Sequence, residues 1–194
     1  QEAGHLAGDP EGDAMRLKRW IGVPQPAEMI APWSFRLPAA PLVAARAEGK
    51  RIPMEKVLRH IAGLTEETDL LLVEGAGGWF VPVGEDWTIA DLAAALGWPV
   101  LVVARPDLGT VNHTLLTVEA VRRAGLPVAG VILNGYREGE DNPVVENNPA
   151  LITAFGNVPV LGRIPWLAGG ISSERLRRVF EESVDMDRLL SMRD

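Results

Sequence analysis

The sequence predicts an α/β fold, a parallel sheet flanked by helices, from three observations. Unbroken apolar runs recur at residues 70–73, 100–104, 128–133 and 158–161, as buried strands of a parallel sheet require. Helical patterns fill the intervals at 88–96, 110–124 and 150–155. The combined unit returns at a spacing of roughly 30 residues, the length of a βαβ crossover.

Along the chain, residues 13–20 read as a short helix and 54–61 as a second, with Pro53 near its start. Between them, 24–41 is punctuated by proline and reads as an ordered loop or insertion. No buried strand is expected before Leu70. From there the alternation is regular, and local signals mark the helix starts. Thr88-Ile89-Ala90-Asp91 has capping-box spacing with Asp in the acidic position, and Thr110 is placed to cap the helix behind it. The 194 residues fit one α/β domain spanning 1–194.

Composition narrows the function. A formal charge of −7 argues against a broad DNA- or RNA-binding face, because such faces are built from Lys and Arg. A small anionic substrate stays compatible, since local potential and a bound cation outweigh a negative total. With no cysteine, disulfide and thiolate chemistry are excluded, and a cytoplasmic setting fits. No apolar run is long enough to span a bilayer.

Residues 69–80 carry the most chemistry. The apolar run leads to the carboxylate of Glu74 and then to Gly75, Ala76, Gly77 and Gly78. Glycines let backbone N–H groups approach an anion, and an adjacent carboxylate can hold Mg²⁺. The same residues also suit a tight strand-to-loop turn with an exposed Glu. Asp13 has two readings as well, a helix N-cap or a second carboxylate for a phosphate-bound cation. Asn134-Gly135 is a common turn dipeptide, and its Asn amide could equally read a purine edge. Trp79 and Trp166 suit rim or core packing, His113 packing or a partner contact, and Arg122 with Arg123 a solvated helix face. If the strands are parallel, the segments beginning at Glu74, Arg105, Asn134 and Gly162 should share one sheet edge, where ligands of open α/β sheets bind.

Taken in order, Gly12-Asp13-Ala14, Val73-Glu74-Gly75-Ala76-Gly77-Gly78-Trp79-Phe80, Leu108-Gly109-Thr110-Val111-Asn112-His113, Val131-Ile132-Leu133-Asn134 and Gly162-Arg163-Ile164-Pro165-Trp166-Leu167 resemble the dethiobiotin synthetase family over most of residues 10–170. The resemblance implies a P-loop NTPase-like fold and a homodimer. It also implies use of Mg²⁺ and ATP to close the ureido ring of 7,8-diaminononanoate after addition of CO₂. By motif, Asp13 and Glu74 would hold the metal, and Gly75, Ala76, Gly77 and Gly78 would face phosphate. Asn134, Gly135, Pro165, Trp166 and Leu167 would meet the base, and Leu108, Gly109 and Asn112 would contact the diamine or a second subunit.

The chain also departs from that family. The strand, Gly-rich P-loop ending in Gly-Lys-Thr, and helix of the family pattern have no counterpart, nor has its second catalytic Lys. The lysines are Lys18, Lys50 and Lys56, and Gly49-Lys50 is followed by Arg51. The resemblance therefore assigns no catalytic residue here. It implies an enzyme missing its N-terminal strand, P-loop and helix, with these 194 residues alone poorly stable and inactive. Two other readings stay open: a degenerate, non-catalytic P-loop relative acting as a regulatory or partner subunit, and a related cobyrinate-type synthetase.

Overall fold

The computed structural model describes residues 2–137, 143–169 and 171–191, and the chain forms two compact units, 1–96 and 97–194. The first contains β1 (Glu2–Ala3), α1 (Asp13–Ile21), α2 (Ala27–Ile30), β2 (Ser34–Phe35), α3 (Pro41–Ala47), α4 (Met54–Thr65) and α5 (Ile89–Leu96). The second contains β3 (Val100–Ala104), α6 (Thr110–Arg123), β4 (Val128–Tyr136), α7 (Pro143–Gly156), β5 (Val160–Pro165), α8 (Ser173–Ser183) and α9 (Met186–Leu190).

The second unit carries the expected parallel sheet, in the order β3-β4-β5. Central β4 is buried on both faces, which explains its unbroken apolar run. Val131 and Leu133 pack with Val102 of β3, Val118 of α6 and Ile152 of α7. Ile132 points the other way, to Leu161, Val184 and Phe180. At about 1.5–3 kcal/mol for each fully buried aliphatic side chain, these contacts make β4 the best-anchored strand. Its partners align Ala104 with Leu133 and Leu133 with Arg163, so the carboxyl ends of all three strands share one edge.

The first unit is built differently. β1 and β2 form a two-residue parallel pair, so a short strand does precede Leu70. Fully buried Phe35 anchors it, and the Gly4 N–H extends it by donating to the Phe35 carbonyl. The proline-rich stretch expected to be loop contains α2 and β2 and ends at α3, whose first residue is Pro41. Ala7, Ala14, Ala27 and Ala31 form a core in which small side chains let α1 and α2 approach closely.

The clearest correction concerns residues 70–73, expected to be a buried strand. They are not assigned to a strand, and no backbone ladder to a described residue involves them. Leu72 is 82% exposed, and Leu70 and Val73 are exposed as well. An apolar run specifies burial, but a strand also needs a partner for its N–H and C=O groups.

Smaller corrections fall at helix ends. Gly109, not Thr110, is the N-cap of α6. Thr110 is buried as the first helical residue, and its hydroxyl lies 3.4 Å from that of Thr114. Gly12 likewise stands before α1, which makes Asp13 the first helical residue. Helix α7 begins at Pro143 and continues through Pro149, so the sequence reading saw only its last turns. Arg122 is not simply solvated: its guanidinium donates to the Gly156 and Asn157 carbonyls at 2.7 and 2.8 Å, capping α7. No helix among the described residues is long and apolar enough to cross a membrane.

Candidate functional site

In the first unit the glycine stretch follows Glu74, which is exposed and makes no hydrogen bond or ion pair with a described residue. Gly77 has φ +86°, a conformation open to glycine at little cost. A Cβ on Gly75 would come within 2.8 Å of Ile89 Cγ2, so that glycine admits α5 against the loop. The loop is held from its far side. Val81 donates to Gly78 O at 3.0 Å, Ala90 to Trp79 O at 2.9 Å and Ile89 to Val81 O at 3.1 Å. By contrast, the N–H groups of Gly75, Ala76, Gly77 and Gly78 donate to no described residue. Four successive donors left open beside a carboxylate suit an anion accompanied by a cation.

The start of α5 that supports this loop carries the capping box read from sequence. The Asp91 carboxylate accepts from the Thr88 N–H and hydroxyl, both at 2.7 Å, and the Asp91 N–H donates back to the Thr88 hydroxyl at 3.4 Å. These donations hold the Asp91 carboxyl below its usual range, the Thr88 hydroxyl contributing most. Asp13 is an exposed acid in the first turn of α1, 4.0 Å from Arg16. Its carboxylate and that of Glu74 are hard oxygen donors of the kind Mg²⁺ takes. An octahedral Mg²⁺ site needs only one or two of them, with water and phosphate oxygens completing the shell. No group of three or more acidic, His or Cys side chains forms a metal cage among the described residues.

Two of the three lysines hold local structure. Lys18 donates to the Gln25 carbonyl at 2.8 Å, and Lys50 pairs with Glu48 at 2.8 Å.

In the second unit the structure brings together the residues expected around a base. Asn134 pairs with Ile164 and Tyr136 with Pro165, while the Trp166 N–H donates to the Tyr136 carbonyl at 2.6 Å. Asn134-Gly135 is not a turn. It lies within β4, where Gly135 has φ +95° and the ladder shifts register between Asn134 and Tyr136. A Cβ on Gly135 would sit 3.7 Å from the Trp166 ring. The Asn134 side chain is exposed at this bulge, Trp166 is 62% exposed beside it, and Leu167 follows half-buried. The Arg137 guanidinium lies 5.5 Å from the Trp166 ring centroid. Three of the four polar segments expected on one sheet edge are therefore there. The fourth, at Glu74, ends no strand.

Sequence reasoning gave no role to Tyr136, Glu146 or Arg163, which cluster at the same edge. The Tyr136 hydroxyl donates to the Glu146 carboxylate, and Arg163 donates to its second oxygen at 3.1 Å. These donors, Tyr136 foremost, hold the Glu146 carboxyl below the ordinary carboxylate range. The available signal was register: matching the strand ends sets Arg163 opposite Leu133, one step from Asn134.

Leu108, Gly109 and Asn112 also come together, lining a groove of about 650 Å³ between the start of α6 and the face of α7. Its other walls include Leu115, Leu151 and Phe155. Leu108 is 79% and Phe155 76% exposed, and Leu116 adds to the uncovered apolar face.

The pattern of a family described as AAA domain matches residues 5–171. Over 188 residues the chain is 43% identical to the ATP-dependent dethiobiotin synthetase BioD of Bacillus cereus (strain B4264), covering 97% of this chain and 77% of that protein. It is 49% identical over 166 residues to the protein of the same name from Anaeromyxobacter dehalogenans (strain 2CP-C), covering 85% and 73%. With that of Bacillus anthracis (strain CDC 684 / NRRL 3495) it shares 42% over 188 residues, covering 97% and 77%.

Proposed function

We propose a residue-level reading for a chain that belongs to the ATP-dependent dethiobiotin synthetases, within the AAA-domain family: Glu74 and the glycines behind it handle phosphate, and the edge of the β3-β4-β5 sheet handles the base. The protein is a ligase that forms carbon–nitrogen bonds at the expense of ATP. Its organic substrate is 7,8-diaminononanoate. One amine adds to CO₂ and loses a proton, giving a carbamate. A carbamate oxygen attacks the γ-phosphorus of ATP and ADP departs. The second amine then attacks the carbonyl carbon and loses a proton as inorganic phosphate leaves, closing the ring. Chemistry of this kind depends on positioning and on neutralising phosphate charge.

Glu74 and Asp13 would hold Mg²⁺, which when bound neutralises phosphate oxygens. Gly75, Ala76, Gly77 and Gly78 offer N–H donors to phosphate or carbamate oxygens. The Asn134 amide, donor and acceptor at once, reads the adenine edge, with Gly135, Pro165, Trp166 and Leu167 bordering the ring. Leu108, Gly109 and Asn112 meet the aliphatic diamine or a second copy of this chain. The uncovered apolar face around Leu108, Leu116 and Phe155 supports a homodimer, because patches of this kind mark protein interfaces. The enzyme works in the cytoplasm, where ATP is supplied.

The observation that carries the site reading is the run of four N–H groups that bond to no described residue, immediately after a Glu74 that pairs with none. The test is dethiobiotin formation by full-length protein from the diamine, bicarbonate and Mg-ATP, alongside Glu74→Gln. Losing one charge-stabilising group of this kind costs on the order of 10²–10³ in turnover, and the Mg²⁺ requirement should rise. Undiminished turnover at every Mg²⁺ concentration would overturn the metal role.

A further inference from the structure

Tyr136, Glu146 and Arg163 come from the end of β4, the first turn of α7 and the interior of β5. Each touches the other two. Tyr136 and Arg163 donate to different oxygens of Glu146, and the Arg163 guanidinium lies 4.7 Å from the Tyr136 ring centroid. An isolated exposed ion pair contributes little, because two flexible side chains must be held for a weak attraction. Here the Tyr136 backbone is already held by strand pairing with Pro165, so the trio closes on a member whose main chain is fixed.

Its location gives it a consequence. Asn134 lies before the Gly135 bulge, and Tyr136 lies after it. A bulge bends a strand and re-aims its side chains. The direction of the Asn134 amide relative to Trp166 therefore depends on what holds the chain beyond Gly135. Among the described residues, the Trp166 N–H on the Tyr136 carbonyl and the trio on the Tyr136 side chain both do.

We infer that Tyr136, Glu146 and Arg163 are positioning residues for nucleotide binding, locking the strand beyond the Gly135 bulge so that Asn134 and Trp166 keep one spacing around the base. The inference rests on the base assignment proposed above. None of the three touches the reacting atoms; they act through Asn134 and Trp166.

The test measures kcat and KM for Mg-ATP and for the diamine in full-length enzyme carrying Glu146→Ala, Tyr136→Phe, Arg163→Lys or Asn134→Ala. Glu146→Ala should raise the KM for ATP about fivefold, within the range by which side chains modulate a site without touching its ligand. Its kcat and its KM for the diamine should stay near wild type. Tyr136→Phe keeps the ring over Arg163 and loses the donor, so it should give a smaller rise in the same constant. Arg163→Lys keeps charge and ring contact and should restore near-wild-type behaviour. A purely structural role would lower the melting temperature without moving the KM for ATP. Should Glu146→Ala prove too unstable, Tyr136→Phe reads the same effect in a nearly isosteric background. A raised KM in Asn134→Ala beside unchanged values in Glu146→Ala and Tyr136→Phe would overturn the positioning role. An unchanged KM in Asn134→Ala would instead remove the base assignment, and the inference with it.

Discussion

Gly162 is the position where the structure makes the sharpest demand on side-chain size. It lies in β5 opposite Ile132 and also bridges antiparallel to Val184 after α8. A Cβ there would lie 2.3 Å from the Ser183 carbonyl oxygen, 2.9 Å from Val184 Cα and 3.0 Å from Val184 Cγ2. Even weak C–H···O contacts sit at about 3.3–3.6 Å, so the 183–184 backbone must retreat by roughly 1 Å. That movement strains the core contacts of Val184 with Ile132 and Leu161, and the 2.8 Å bond from the Asp185 N–H to the Leu161 carbonyl. Overpacking of this kind costs about 1–3 kcal/mol, and weakening a backbone hydrogen bond adds about 1 kcal/mol. For Gly162→Ala the expected loss is thus about 3 kcal/mol, or roughly 6–12 °C of melting temperature for a protein of this size. Gly63→Ala is the control: Gly63 is helical in α4, with nothing within 4 Å of a built Cβ, and the change should be neutral or stabilising by about 0.4–1 kcal/mol. Thermal unfolding by calorimetry reads both. Equal melting temperatures for Gly162→Ala and wild type would refute the steric argument, as would an equal loss in Gly63→Ala.

The capping box makes stability depend on pH with a definite sign. The depressed Asp91 carboxyl contributes stability that is present above its ordinary value of 3.8 and is lost as pH falls through its folded value. Asp91→Asn should therefore melt below wild type at pH 7, with the gap closing under acid conditions; a gap constant with pH would contradict this. Thr88→Ala removes the other half of the box and should cost about 1 kcal/mol at neutral pH, read by denaturant unfolding. In the α6–α7 groove, Phe155→Glu sets a charge on the uncovered apolar face, and sedimentation should show the proposed homodimer giving way to monomer. A wild-type protein that is monomeric at micromolar concentration would remove the interface reading.

What could be read from sequence was what is encoded locally. The strand 100–104 matches β3 end for end, and 110–124 differs from α6 by one residue, because both patterns persist over several residues. The Thr88–Asp91 box is local too, needing only a spacing of three residues. Helix α7 was half missed because Pro149 looks like a start. The true start is Pro143, and Asn148 inside the helix is held by donating to the Pro106 carbonyl at 2.7 Å. That bond joins residues 42 apart and leaves no trace in local pattern. Strand β5 was expected at 158–161 and runs Val160–Pro165. Its polar half, Gly162-Arg163, broke the apolar run even though the ladder continues. As an edge strand it also tolerates a terminal proline.

The two largest misreadings share one physical origin. Residues 70–73 have the composition of a buried strand and form no ladder with a described residue, whereas Asn134-Gly135 has the composition of a turn and lies inside a ladder. In both, the presence or absence of a pairing segment distant in sequence decides the outcome, and local composition does not report it: β5 draws Asn134-Gly135 into a ladder, while no described segment pairs with 70–73. The consequence for function is specific. At 134–136 the ladder sets the Asn amide, the tryptophan and the Tyr136–Glu146–Arg163 trio along one edge, though α7 lies between β4 and β5 in sequence. Motif reading could name Asn134 and Trp166 one at a time. What a base would experience is their spacing, and that is fixed by the register of Leu133 with Arg163 and by the glycine that bends the strand two residues later.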